Sequence, residues 1–104
     1  MKRFDHFING VYTTSVSGAT MDVINPATGK KYATLSAGDE KDVHMAVNAA
    51  KIAAPGWAST PLSKRHMILQ RIADLITERS DEFVEAECID TGKPISLAMQ
   101  LDIP

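Results

Sequence analysis

The stretch Glu85–Pro94 constrains the fold most, because it has the pattern of a helix end followed by a stop. Gly92 can adopt the left-handed conformation that closes a helix, and Pro94 cannot continue one. Asp90 then falls in the last helical turn, where unpaired carbonyl groups carry partial negative charge. An acidic side chain is electrostatically misplaced at this position.

Two interpretations of Asp90 follow from its position. In one, the carboxylate is simply solvated, since Lys93 and screening by salt reduce the repulsion. In the other, the carboxylate and the neighbouring carbonyl groups form an all-oxygen pocket suited to a hard cation. The residues alone leave both interpretations open.

Length, charge and cysteine content restrict the class of protein. The 104 residues match one small domain, and the net charge of −2 argues against a nucleic-acid partner. No apolar run reaches membrane-spanning length, and the N-terminus leads into no signal-peptide core, so no membrane association is expected. The single cysteine, Cys88, excludes an internal disulfide and suits a reducing cytoplasm.

The first third of the chain carries two hairpin signals. After a loose tail expected at Met1–Asp5, the pair Asn9-Gly10 stands between short apolar flanks, which predicts a β-hairpin. A second hairpin is predicted from strands Met21–Ile24 and Lys31–Ser36. Pro26 and Gly29 between them suit a turn.

Helical periodicity begins after Gly38. Asp39 is the predicted N-cap of a first helix that Pro55-Gly56 ends. Thr60-Pro61 predicts the start of a second helix, by a hydroxyl cap followed by proline. Its predicted apolar face consists of Ile68, Leu69, Ile72, Ala73, Leu75 and Ile76.

A third helix is predicted from its cap, Ser80, to Gly92, and a fourth begins after Pro94. The expected architecture is two short β-hairpins followed by three to four α-helices. The fourth helical pattern reaches Pro104 without a stop signal, and the hairpins have little to pack on. We therefore expect this chain to be the start of a larger protein.

No catalytic motif is present among the reactive side chains. Cys88 lies within a helix without a feature that would activate it, so we expect it to be a packing residue. His6, His44 and His66 are widely separated, and no zinc-binding motif occurs. The residues alone predict no active site.

The order of these elements resembles the N-terminal segment of the NAD-dependent aldehyde dehydrogenase superfamily. The matching pieces are Phe7–Gly10, Val23–Gly29, Ala37–Asp39, Trp57, Arg65, Ile72–Ile76 and Ile89–Pro94. Within the superfamily, residues 85–104 are most similar to the enzymes that oxidise 2-hydroxymuconic semialdehyde in the meta-cleavage of catechols. The betaine aldehyde dehydrogenases are similar here but depart from the pattern between Ser96 and Pro104.

The resemblance implies an α/β parent fold in which residues 1–104 are the incomplete N-terminal part of a Rossmann-like NAD-binding domain. It implies a cytoplasmic homo-oligomer that oxidises an aldehyde to a carboxylic acid through a cysteine nucleophile, a glutamate base and NAD. Those catalytic and NAD-binding residues lie beyond the equivalent of Pro104, and Cys88 does not match the nucleophile.

The resemblance also implies a monovalent cation, potassium or sodium, in some family members. Its ligands map onto the main-chain carbonyls of Val23 and Ile24 and the side chain of Asp90.

Two rival interpretations remain. The chain could be a free-standing helical interaction module, or a non-catalytic protein that keeps this N-terminal fold. Neither explains the unfinished last helix, and a module leaves the Asn25–Gly29 piece without a purpose.

Overall fold

The computed structural model describes all 104 residues, Met1–Pro104, as short strands followed by helices. The strands are β1 (Lys2–Phe4), β2 (His6–Ile8), β3 (Val11–Thr13), β4 (Thr20–Asn25) and β5 (Lys30–Ser36). The helices are α1 (Glu40–Ser59), α2 (Leu62–Glu78), α3 (Ser80–Thr91) and α4 (Ile95–Leu97), which continues into a π-helical turn at Ala98–Asp102. This is an α/β segment.

The chain divides into two compact units. The first contains Met1–Ile24 and Lys31–Ser59, and the second contains Asn25–Lys30 and Thr60–Pro104. The turn between β4 and β5 thus belongs to the same unit as α2, α3 and α4.

In the first unit, β2 and β3 pair antiparallel across Asn9-Gly10, where the sequence predicts a hairpin. Both turn residues have positive φ, 54° for Asn9 and 79° for Gly10, as a tight two-residue hairpin turn requires. The rings of Phe7 and Tyr12 pack at an interplanar angle of 55°, with 5.0 Å between their centroids. The hairpin packs beside α1, and a groove between them is lined by hairpin residues and by Ala46, Ala49, Ala50 and Ala53 of α1. The small methyl side chains of these alanines let the hairpin backbone come close to the helix.

The expectation of a loose tail at Met1–Asp5 is wrong. β1 pairs in parallel with β5, with Lys2 opposite Ala33 and Phe4 opposite Leu35, and the sheet order is β1-β5-β4. Asp5 adds a side-chain link, since it accepts a 2.8 Å hydrogen bond from Ser36 Oγ. The partner strand is remote in sequence, so local composition carries no sign of this pairing.

The predicted end of the first helix at Pro55-Gly56 is also wrong, because α1 continues to Ser59 with Pro55 inside it. Proline removes one N–H donor from the helix but leaves the later turns able to form. Ser59 Oγ donates a 3.1 Å hydrogen bond to the carbonyl of Gly56 within this last part.

The starts of the next two helices differ from prediction by one residue. α2 begins at Leu62, with Pro61 at the N-cap and no side-chain cap bond. α3 begins at Ser80, which is its first helical residue, and Arg79 holds the N-cap position. Arg79 itself donates two hydrogen bonds, of 2.6 and 3.0 Å, to the carboxylate of Glu82.

Few apolar side chains are buried within the chain. Only Ala33, Val84 and Ala98 belong to the buried apolar core, whereas the predicted apolar face of α2 is largely exposed, with Leu69 at 61% and Ile72 at 50%. None of the helices combines the length and the apolar character needed to cross a bilayer.

Candidate functional site

The C-terminal end of α3 has the geometry that the sequence predicts. Gly92 adopts the left-handed conformation, with φ of 73°, and its N–H donates a 2.9 Å hydrogen bond to the carbonyl of Cys88. Thr91 Oγ1 donates a 2.7 Å hydrogen bond to the carbonyl of Glu87. These bonds satisfy two carbonyl groups of the last turns, so the predicted helix stop at Gly92 is confirmed.

The turn Asn25–Lys30 is held together around Asn25. The carbonyl of Asn25 accepts hydrogen bonds from the N–H groups of Thr28 at 3.2 Å and Gly29 at 2.8 Å. Its side-chain Oδ1 accepts a 2.9 Å bond from the N–H of Ala27. An asparagine that bonds its own backbone two residues on is the usual device for fixing such a turn.

The turn and the end of α3 meet at Gly92. A Cβ atom on Gly92 would lie 3.1 Å from Cγ of Pro26 and 3.7 Å from the N atom of Ala27. The first distance is tighter than most carbon contacts, so a side chain here would push the Pro26 ring by a few tenths of an ångström, and the positive φ also favours glycine. Two of the pieces that match the family, Val23–Gly29 and Ile89–Pro94, therefore lie against each other.

An open groove of about 560 Å³ lies beside this contact within the second unit. Its lining residues are Asn25, Ala27, Asp81, Val84, Glu85, Cys88, Ile89, Gly92, Lys93, Ile95 and Met99. The half-buried Cys88 is a free thiol in this lining.

Lys93 lines the groove and forms an ion pair. Its Nζ lies 2.5 Å from Oδ2 of Asp102, at the end of the π-helical turn, and 4.0 Å from Oε1 of Glu87. The hydrogen bond to Asp102 raises the pKa of Lys93, so the side chain stays cationic at neutral pH. The pair ties the segment after Pro94 back to the end of α3.

The predicted cation ligands are distributed over both units. Asp90 is exposed in the last turn of α3, in the second unit, whereas Val23 is half-buried and Ile24 is 46% exposed in β4 of the first unit. No group of three or more His, Cys, Asp or Glu side chains is placed to hold a metal ion. A carboxylate with main-chain carbonyls is nevertheless an all-oxygen donor set of the kind that suits potassium or sodium.

Asp42 is a buried carboxylate in the first turn of α1. It is 4% exposed, and its two oxygens accept 2.9 Å hydrogen bonds from the N–H groups of Asp39 and Val16. These two bonds hold the pKa of Asp42 below its ordinary value, and the bond from Asp39 has the larger effect. Asp39 in turn accepts bonds from Lys41 at 2.9 Å and Asp42 at 3.4 Å, so its predicted N-cap role is confirmed.

The bond from the N–H of Asp39 to the carboxylate of Asp42 could have been predicted, since the spacing Asp39-x-x-Asp42 has the form of a capping box. Nothing local indicates the bond from Val16, which lies 26 residues earlier. Asp42 thus fixes the loop before β4 to the start of α1.

Residues 12–104 match the sequence model of the aldehyde dehydrogenase family. The chain belongs to that family. Among curated relatives, the 2-hydroxymuconic semialdehyde dehydrogenase of Pseudomonas sp. (strain CF600) is 50% identical over 105 aligned residues. That alignment covers 100% of this chain and 22% of the relative, so the chain spans about a fifth of the relative's length.

Solved structures show the same family and the same backbone. PnpE from Pseudomonas sp. WBC-3 is 36% identical with a TM-score of 0.95, over 100% of this chain and 21% of that one. PnpE has also been solved in complex with nicotinamide adenine dinucleotide. The NAD+ complex of the Bacillus cereus aldehyde dehydrogenase is 34% identical with a TM-score of 0.94, over 98% of this chain and 21% of that one.

Proposed function

We propose that residues 1–104 form the N-terminal part of the NAD-binding domain of an NAD-dependent aldehyde dehydrogenase. The proposed substrate is 2-hydroxymuconic semialdehyde, from the meta-cleavage of catechols, and the product is the carboxylic acid. The observation that carries this proposal is the 50% identity to a 2-hydroxymuconic semialdehyde dehydrogenase along the whole chain. The proposed protein is a cytoplasmic homo-oligomer.

The role proposed for this segment is structural. The contact between Pro26 and Gly92 is made by backbone and small side chains rather than by groups that transfer protons or attack carbonyls. The carbonyl of Cys88 accepts the hydrogen bond from the N–H of Gly92 that ends α3, and Cys88 also lines the groove. Both observations support a packing role for this residue. The exposed apolar face of α2 supports a segment that is covered by further parts of a larger protein.

NAD, when bound, supplies the hydride acceptor. The proposal assigns its binding to the part of the relatives that these residues do not cover. The glycines of this chain support that assignment, because Gly38 is the one glycine between a strand and the start of a helix, whereas Gly10, Gly18 and Gly29 are turn or loop residues and Gly92 ends a helix. A phosphate-binding loop needs glycines between a strand and the start of a helix.

The proposal includes a monovalent cation held by the carbonyls of Val23 and Ile24 and the carboxylate of Asp90. The contact between Pro26 and Gly92 supports this part of the proposal. Pro26 lies two residues after Ile24 and Gly92 lies two residues after Asp90, so the contact is close in sequence to the proposed ligands. A cation there would neutralise a carboxylate at the negative end of α3, so its effect would be on stability.

Kinetics of the full-length enzyme test the substrate assignment. We expect kcat/KM with NAD to be higher for 2-hydroxymuconic semialdehyde than for betaine aldehyde, by roughly 100-fold or more, because the two differ in charge and polar groups. A higher kcat/KM for betaine aldehyde would overturn the substrate assignment and leave the dehydrogenase assignment intact. Absence of NAD reduction with any aldehyde would overturn both.

A further inference from the structure

We draw no further inference here: the strongest candidate, the exposed apolar face of α2 formed by Ile68, Leu69, Ile72 and Ile76, carries nothing because the structure does not show what covers it.

Discussion

Gly92 and Pro26 lie so close together that a single methyl group on Gly92 would come within 3.1 Å of the Pro26 ring. The contact joins the end of α3 to the turn between β4 and β5, two pieces 66 positions apart in the chain. It depends on glycine for two separable reasons, a left-handed backbone and the lack of a Cβ atom.

The first prediction separates these two reasons. Gly92→Ala incurs backbone strain at φ 73°, typically about 1–2 kcal/mol, and also a tight contact with the Pro26 ring. We expect faster amide hydrogen exchange in both Asn25–Lys30 and Cys88–Gly92, by roughly 5–30-fold. Exchange of the full-length protein followed by mass spectrometry measures this change.

Gly29→Ala is the matched control. Gly29 has a similar φ of 69°, but nothing lies within 4 Å of the position its Cβ would take. We expect its effect to stay within Asn25–Lys30 and to leave the end of α3 unchanged. If both variants leave α3 equally protected, the contact with Pro26 contributes nothing to stability.

The second prediction concerns the buried carboxylate of Asp42. Asp42→Asn keeps one acceptor oxygen but presents an NH₂ group to one of the two N–H donors, so either Val16 or Asp39 loses its partner. We expect the amide that loses its acceptor to exchange roughly 5–30-fold faster. Asp22→Asn removes an exposed carboxylate paired with Lys31 and serves as the control. Equal protection in the two variants would contradict a role for Asp42 in holding the loop.

The third prediction is the pH dependence of the same contact. The pKa of Asp42 is lowered in the folded chain, first by the N–H of Asp39 and then by that of Val16. Its stabilising contribution is therefore fully present above the ordinary value of 3.8 and is lost as pH falls through the lower folded value. Protection of Val16, corrected for intrinsic exchange, should fall only in that acid range. A loss of protection that begins near neutral pH would assign the effect to another group.

The fourth prediction tests the proposed cation. Asp90→Asn preserves the side-chain shape but removes the charge, so we expect it to weaken the stabilisation that potassium gives the full-length protein. Melting curves across a potassium series, at ionic strength held constant with a bulky organic cation, measure the response. Asp81→Asn removes a charge at the other end of α3 and should leave the potassium response unchanged. If Asp90→Asn responds to potassium as wild type does, Asp90 is not a ligand of the cation.

The fifth prediction concerns the 104 residues alone. We expect them to show no dehydrogenase activity and no micromolar affinity for NAD, because the chain has no glycine-rich loop between a strand and a helix start. Calorimetric titration with NAD, with the full-length protein as the positive control, tests this expectation. A micromolar dissociation constant for the 104-residue chain would place a nucleotide site within it.

The parts of the fold that short-range chemistry decides could be predicted from sequence. Asn9-Gly10 and Gly92 adopt positive φ because few other residues tolerate it, and Asp39 caps α1 through its own neighbours. The predicted helix end at Pro55 is wrong, because a proline removes one helical hydrogen bond but the turns that follow it form their own.

The features that could not be predicted depend on partners far away in the sequence. The bond from Val16 to Asp42 and the contact between Pro26 and Gly92 join residues that no periodicity relates. The proposed ligands Val23, Ile24 and Asp90 depend on such long-range placement too. The position of Asp90 in the last turn of α3 suggests a cation, whereas the carbonyls of Val23 and Ile24 are implied only by the family resemblance.

The parallel pairing of β1 with β5 has a consequence for how this chain is made. Lys2–Phe4 leave the ribosome about thirty residues before their partners, Ala33–Leu35. The N-terminal strand must therefore wait unpaired during synthesis, and closing so long a loop slows its pairing.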